Sequence, residues 1–128
     1  MPDYFWFSLL VAANGLLLVV LALNVSLLRI KHGVSYGYGG NKKLRAAIRT
    51  HSNGAEHVPV YGLLILALTF LGASNALLAV LVIGFTLARV SHAAGMLWRI
   101  FPARRLGAGF TYIFQAVAVA SILARLVF

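Results

Sequence analysis

The sequence predicts an all-α integral-membrane protein, a four-helix bundle that occupies all 128 residues as one domain. Hydrophobic residues make up 62% of the chain and the mean hydropathy is +0.93, whereas soluble domains are about 45 to 50% apolar. Four apolar segments are separated by short polar connections, and one membrane span needs about 20 residues. Four spans and their connections therefore use the whole length and leave no room for a soluble domain.

The charge of the chain is strongly basic, with 11 Lys and Arg against 2 Asp and Glu. Such a balance can indicate nucleic-acid binding, but these basic residues lie at predicted helix ends and in two loops, where anionic lipid headgroups and membrane topology account for them. The predicted partners are therefore membrane lipids, and nucleic acid is not expected. The chain has no cysteine, which excludes disulfides, iron–sulfur clusters and a thiol nucleophile of its own.

The first helix is predicted over residues 4–28, with an aromatic cluster at its start and Arg29 just after its end. Asn14 and Asn24 interrupt its apolar run. Two interpretations remain open for them. Each amide either hydrogen-bonds a neighbouring helix or lines a ligand cleft.

The second helix is predicted over residues 42–71, after a glycine-rich loop at 31–41. That loop lacks the preceding strand and the Lys-Ser or Lys-Thr pair of a phosphate-binding loop. Asn41 is the expected N-cap. The helix is apolar from Val58 onward, and Pro59 removes one backbone hydrogen bond, which predicts a local kink.

The polar residues of the second helix share one face, because about 100° per residue places five of them within about 80°. The five are Lys42, Arg45, Arg49, Asn53 and Glu56. Each Arg, Lys or Asp at mid-bilayer costs about 2.5 to 3.5 kcal/mol on insertion scales. We therefore expect this polar stripe to face other helices or a water-filled cavity and not lipid.

The third helix is predicted over residues 76–98, with Ser74 or Asn75 as its N-cap. Three side chains near its far end share a sector of about 60°. They are Arg89, His92 and Met96.

The fourth helix is predicted over residues 106–128, after a basic loop at 99–105. By the positive-inside rule, both basic loops are cytoplasmic and both termini lie on the non-cytoplasmic side. The candidate polar residues then converge in the cytoplasmic half of the bundle, although they come from three helices. They include Arg45, Arg49, Glu56, Arg89, His92, Arg104, Arg105 and Tyr112.

Two spaced motifs carry a resemblance to a known family. They are Arg49-x-x-x-Asn53-x-x-Glu56 in the second helix and Arg89-x-x-His92-x-x-x-Met96 in the third. With the four-helix layout, they resemble the MAPEG family, the membrane-associated proteins of eicosanoid and glutathione metabolism, and most closely its short bacterial inner-membrane members. The resemblance implies a homotrimer with sites between neighbouring subunits. It also implies a microsomal-type glutathione S-transferase or peroxidase, with glutathione as co-substrate and a lipophilic electrophile or hydroperoxide as substrate.

The resemblance also implies roles for individual residues. Arg105, with Arg104 beside it, fits the position of the arginine that activates the thiol, and these two are the catalytic candidates. The candidates for binding glutathione are Arg45, Arg49, Asn53, Glu56, Arg89, His92 and Tyr112. Met96 stands where the family usually has a tyrosine, so a hydroxyl donor is missing.

The residue types support the same chemistry. Arginines bind carboxylates through bidentate, charge-assisted hydrogen bonds, Glu56 can accept from an ammonium, and a second arginine near sulfur favours the thiolate. Two other functions remain open: a non-catalytic member that binds lipid or glutathione, and a small cation exporter with Glu56 as its membrane carboxylate. Glu56 could also simply pair with Arg45 or Arg49. No metal site is predicted, because the His and Glu residues at 51–57 do not share a face.

Overall fold

A computed structural model describes residues 3–128 as four α-helices joined by short connections. The helices are α1 (Phe5–His32), α2 (Lys42–Phe70), α3 (Asn75–Leu97) and α4 (Phe101–Val127). Three of them, α1, α3 and α4, are long and apolar enough to cross a membrane. The 29-residue α2 is also long enough, but its first half is polar. The predicted all-α membrane bundle is confirmed.

The predicted helix starts of α2 and α3 are confirmed by their caps. The Asn41 side chain accepts a hydrogen bond from the backbone N–H of Leu44 over 3.0 Å. Ser74, and not Asn75, caps α3, because its Oγ accepts from the N–H of Leu77 over 3.3 Å. Both side chains satisfy donors that would otherwise lack a partner in the first helical turn.

The predicted start of the fourth helix was wrong by five residues. Helix α4 begins at Phe101 instead of residue 106, so most of the expected basic loop at 99–105 is helical. Pro102 lies in the first turn, where a missing N–H costs no helical hydrogen bond and the fixed φ suits the helix. Helix α1 likewise continues past residue 28 to His32. Arg104 and Arg105 are consequently held on a rigid helix.

The apolar core lies in the half of the bundle away from the basic loops. At its centre, the rings of Tyr61 and Phe85 are stacked with their centroids 3.7 Å apart. The Tyr61 hydroxyl donates to the carbonyl of Leu81 over 3.0 Å. Because a buried hydroxyl needs a partner, this bond lets a tyrosine pack inside the apolar half. The same bond links α2 to α3 within the apolar half of the bundle.

For Asn14, the structure supports the first interpretation, a hydrogen bond to a neighbouring helix. Its side chain is fully buried, and Nδ2 donates to Thr86 Oγ1 on α3 over 3.0 Å and to the Leu10 carbonyl over 3.1 Å. It therefore joins α1 to α3. Asn24 is half-buried and lines a cleft at the other end of α1.

One end of the bundle, here called the basic end, collects the cationic residues. The final turns of α1 and α3 and the first turns of α2 and α4 meet there. The loop between α1 and α2 is fastened to it, because Arg29 donates to the Gly37 carbonyl over 2.8 Å and the Arg45 guanidinium lies 5.4 Å from the Tyr38 ring centroid. The basic end is therefore an ordered surface on which side chains have fixed neighbours.

Candidate functional site

A main cavity of about 620 Å³ opens at the basic end among α2, α3 and α4. Five cationic side chains line it and no carboxylate does. The five are Lys42, Arg45, Arg49, Arg99 and Arg104. So many positive charges around one concave surface favour an anionic ligand, and arginines bind carboxylates in particular through paired hydrogen bonds. The volume lies within the usual range of small-molecule sites.

The polar stripe of α2 accounts for one wall of this cavity. Lys42, Arg45, Arg49 and Asn53 all line it, as their helical spacing predicts. Glu56 lies about two turns beyond Arg49 and is exposed on the outer surface of the single chain. The described residues place no cation in salt-bridge contact with Glu56, so the structure does not bring Glu56 together with the other candidates.

A smaller inner chamber of about 180 Å³ lies next to the main cavity. Asn53, His92 and Arg104 line both spaces, so the two are neighbours. Arg89 and Tyr112 line only the chamber. Residues from α2, α3 and α4 therefore converge as the sequence predicts, with Arg45 and Arg49 at the main cavity and Arg89 and Tyr112 around the chamber.

Arg89 is almost completely buried, with 2% of its surface exposed. Its Nη2 donates to Asn53 Oδ1 on α2 over 2.8 Å, and its Nη1 lies 3.5 Å from Thr111 Oγ1 on α4. The Thr111 hydroxyl in turn donates to the carbonyl of Gly107 over 2.7 Å. One guanidinium thus connects three helices and fixes the orientation of the Asn53 amide. Its Nε is buried and has no partner among the described atoms.

Two glycines set the distance between α3 and α4 at the site. A Cβ atom at Gly95 would overlap the backbone of Arg104, and one at Gly107 would overlap the backbone of His92. These close approaches require residues without side chains. They hold Arg104 and His92 against each other's helix, where both line the cavity and the chamber.

The structure distinguishes the two candidate catalytic arginines by position. Arg104 lines both the main cavity and the inner chamber, whereas Arg105 lines neither. The guanidinium of Arg105 lies 5.3 Å from the ring centroid of Phe101, on the exposed side of α4. Adjacent residues on a helix point about 100° apart, so only one of the pair can face the cavity. The catalytic role of either residue stays a prediction.

His57 belongs to the inner chamber, although the sequence had suggested no binding role for it. Its Nδ1 lies 3.1 Å from Gln115 Oε1, and its ring centroid lies 5.7 Å from that of Tyr112. His57 follows Asn53 by four residues, and that spacing places both on one helix face. The helical period could therefore have indicated it.

Arg99 is a second lining residue without a sequence-based role, and as a member of the expected loop it had no predicted direction. Within residues 3–128, no three His, Asp or Glu side chains come together in a way that could hold a metal ion. The arrangement instead suits an organic anion that has one end in the main cavity and another group near Arg104. An arginine at that junction can stabilise a thiolate or another developing negative charge.

Comparison with known proteins agrees with the motifs. The pattern of the MAPEG family matches residues 7–124. The chain is 32% identical over 105 residues to the inner membrane protein YecN of Escherichia coli strain K12, which covers 82% of this chain and 80% of that protein. The YecN protein of Escherichia coli O6:H1 gives the same values. No solved structure matches the chain. With a family match over nearly its whole length, the chain belongs to the MAPEG family.

Proposed function

We propose that this chain is a glutathione-dependent transferase or peroxidase of the bacterial inner membrane. The observation that carries the proposal is the main cavity, where five cations and no carboxylate surround about 620 Å³, with Arg104 at its junction with the inner chamber. Glutathione carries two carboxylates, one ammonium and one thiol. Its charges therefore match a site that is rich in arginine.

The binding mode follows from the placement of the cations. Arg45 and Arg49 lie one turn apart on α2, so they can each pair with a carboxylate of the tripeptide. Asn53 is held by Arg89 and offers an oriented amide between the two spaces. Arg104 is then the cation next to the sulfur.

The chemistry needs only the thiol that the ligand brings. A guanidinium beside sulfur favours the thiolate, which is the nucleophilic form. In a transfer reaction, the thiolate sulfur bonds to an electrophilic carbon of a lipophilic substrate, and the substrate's leaving group departs with the bonding electrons. In a peroxidase reaction, the sulfur attacks a hydroperoxide oxygen, and the O–O bond breaks to give an alcohol after protonation and a sulfenic acid. The thiol of a second glutathione attacks the sulfenic sulfur, so that the S–O bond breaks, the disulfide forms and the oxygen leaves as water.

The location also belongs to the proposal. The relatives are named inner membrane proteins, and three of the four helices are long and apolar enough to span a bilayer. The positive-inside rule predicts that the basic end faces the cytoplasm. The site would then open toward the cytoplasmic pool of glutathione. Lipophilic substrates reach the site from the bilayer.

The test is the ultraviolet absorbance of thiolate when glutathione is added to the detergent-purified protein near neutral pH. Arg104→Ala and Arg105→Ala form a matched pair, because the two residues are adjacent and both exposed, yet only Arg104 lines the site. We expect the thiolate signal in the parent and in Arg105→Ala, and its loss in Arg104→Ala. No glutathione binding in the parent would overturn the proposal. Loss of the signal in Arg105→Ala alone would reassign the thiol-activating role to Arg105.

A second function, a non-catalytic binding protein, is favoured by one observation. Met96 lines the main cavity, and its thioether cannot donate the hydrogen bond that a tyrosine hydroxyl there would supply. Glutathione binding without any thiolate signal would support this function. The cation exporter is disfavoured, because the five lining cations would repel a positively charged substrate.

A further inference from the structure

A second cleft of about 420 Å³ lies at the basic end, next to the main cavity, with which it shares Ala46 and Arg99. It is formed by the last turns of α1 and α3 and the first turn of α2. Its apolar lining consists of Leu28, Ala46 and Leu97. Neither of the two sequence motifs contributes a residue to it, so the proposed glutathione chemistry leaves this cleft without a role.

The polar lining of the second cleft is cationic. Lys43 and Arg99 are exposed side chains that line it, together with the half-buried amide of Asn24. No carboxylate lines it. A pair of cations and an amide donor above an apolar surface matches a phosphate group attached to a hydrocarbon stem. A free inorganic anion has no hydrocarbon group that could contact the apolar lining of the cleft.

Trp98 places the cleft at the level of the lipid headgroups. It lines the cleft, yet 72% of its surface is exposed. Tryptophan is enriched at membrane–water interfaces, because its ring is apolar and its N–H can donate. The cleft also lies at the ends of the membrane helices, close to the basic loop. Basic clefts between membrane helices at this depth are typical sites for anionic headgroups.

The backbone of Arg99 provides an independent indication of function. It is the only residue other than glycine with a positive φ in the described part of the chain, at 56°. It directly follows the C-cap of α3, where the left-handed conformation is usual but glycine is the favoured residue. Keeping an arginine in this conformation costs stability, and such strain is concentrated at functional sites. Here it holds a guanidinium where it lines both the main cavity and the second cleft.

We propose that the second cleft binds the phosphate of an anionic phospholipid headgroup. Lys43 and Arg99 pair with the phosphate, and the apolar lining contacts the glycerol and the first carbons of the chains. The bound lipid would be a structural partner of the basic end and would be selected from the bilayer by its charge. Each of the two cations that pair with the phosphate should strengthen the preference for an anionic lipid about fivefold, which corresponds to about 1 kcal/mol.

The test uses the quenching of tryptophan fluorescence by brominated lipids. With Trp6→Phe as the background, Trp98 is the only tryptophan left. The protein is placed in phosphatidylcholine vesicles that contain a small, equal fraction of either brominated phosphatidylglycerol or brominated phosphatidylcholine. We expect the anionic lipid to quench Trp98 several-fold more effectively. Equal quenching by the two lipids would overturn the proposal.

Two lysine variants distinguish lipid binding in the cleft from the nonspecific attraction of anionic lipid by surface charge. Lys43→Gln should reduce the preference about fivefold. Lys31→Gln should leave the preference unchanged, because Lys31 is an exposed lysine at the same end that lines neither the main cavity nor the second cleft. Equal losses in both variants would mean that only surface charge acts. Arg99→Gln, which keeps a side chain at the strained position, should reduce the preference as Lys43→Gln does. An unchanged preference in both cleft variants contradicts the proposal.

Two further readouts distinguish related explanations. If millimolar inorganic phosphate removes the preference, the cleft is a site for free anions and the lipid assignment is wrong. Glutathione binding by Lys43→Gln should equal that of the parent, because Lys43 does not line the main cavity. The lipid proposal can therefore fail while the glutathione proposal holds, and the reverse is also true.

Discussion

Arg89 on α3 and Asn53 on α2 are joined by a 2.8 Å hydrogen bond from Nη2 to Oδ1. Each belongs to a different sequence motif, so the bond explains why the two motifs occur together. The buried arginine gains a partner, and the asparagine gains a fixed orientation on the wall shared by the main cavity and the inner chamber. Arg89 therefore acts mainly by positioning a residue that can reach a ligand.

The first prediction concerns this bond. Asn53→Ala removes the best partner of a buried guanidinium, so we expect the free energy of unfolding to fall by about 1.5 to 3 kcal/mol. The measurement is reversible unfolding in mixed detergent micelles. Asn24→Ala is the control, because Asn24 is a half-buried amide on α1, outside the main cavity.

A double-variant cycle checks that the loss arises from this pair. Arg89→Met removes the charge as well as the bond, so Asn53→Ala should cost much less in that background. A coupling energy of about 1 kcal/mol or more is expected for residues in one hydrogen-bond network. Strictly additive effects would mean that the two side chains stabilise the bundle independently.

The second prediction concerns the contact between α3 and α4. Gly95→Ala and Gly107→Ala each insert a methyl group into a backbone contact, and such overpacking costs about 1 to 3 kcal/mol. Because α4 must move away, Arg104 and His92 should separate and glutathione affinity should fall. Both the thermal unfolding midpoint and the affinity are measured.

Gly109→Ala is the matched control for these variants. It lies on the same helix as Gly107, but a Cβ there meets no atom within 4 Å. Alanine favours the helix over glycine by about 1 kcal/mol, so this variant should be as stable as the parent or more stable. Equal destabilisation by all three variants would show that the close approach does not hold the site.

Helical periodicity predicted that Lys42, Arg45, Arg49 and Asn53 face the site, because helix geometry fixes the directions of side chains once the helix is recognised. It failed for Glu56, which is exposed and lines neither the main cavity nor the inner chamber. The rule could not be applied to Arg104 and Arg105, since residues 99–105 were expected to form a basic loop in which neither side chain has a defined direction. With the start of α4 at Phe101, the 100° step between adjacent residues separates them. The error was in the helix boundary and not in the choice of residues.

Other features could not be predicted from local patterns. The contact between His57 and Gln115 joins residues 58 positions apart, and only the packing of α2 against α4 brings them together. The second cleft likewise depends on how the ends of three helices meet. The left-handed backbone of Arg99 is invisible in the sequence, because that position usually holds glycine.

The third prediction concerns Glu56, which is exposed on α2 near the middle of that helix. A carboxylate facing lipid at mid-bilayer would cost about 2.5 to 3.5 kcal/mol, so we expect another copy of the chain to cover it. The family resemblance implies a trimer. Native mass spectrometry in mild detergent should therefore give a trimer for the parent, and Glu56→Gln should weaken its association about tenfold.

Asp3→Asn is the control for this experiment, because Asp3 is the only other acidic residue and it lies at the start of the chain. It should leave the association unchanged. A parent that is monomeric at every concentration, or equal association of all three proteins, would contradict the prediction. Another copy of the chain would then not be what covers Glu56.

The fourth prediction concerns the strained backbone at Arg99. A side chain in the left-handed conformation costs about 1 to 2 kcal/mol, and glycine removes this cost. Part of the gain is lost, because glycine gives the unfolded chain about 0.5 to 1 kcal/mol more conformational freedom. Arg99→Gly should therefore be more stable than Arg99→Ala by up to about 1.5 kcal/mol, as measured by reversible unfolding. Both variants lack the guanidinium, so the difference between them isolates the backbone. If the φ of 56° carries no cost, Arg99→Gly should instead be less stable than Arg99→Ala by about 0.5 to 1 kcal/mol, and the argument from strain for a functional Arg99 would be lost.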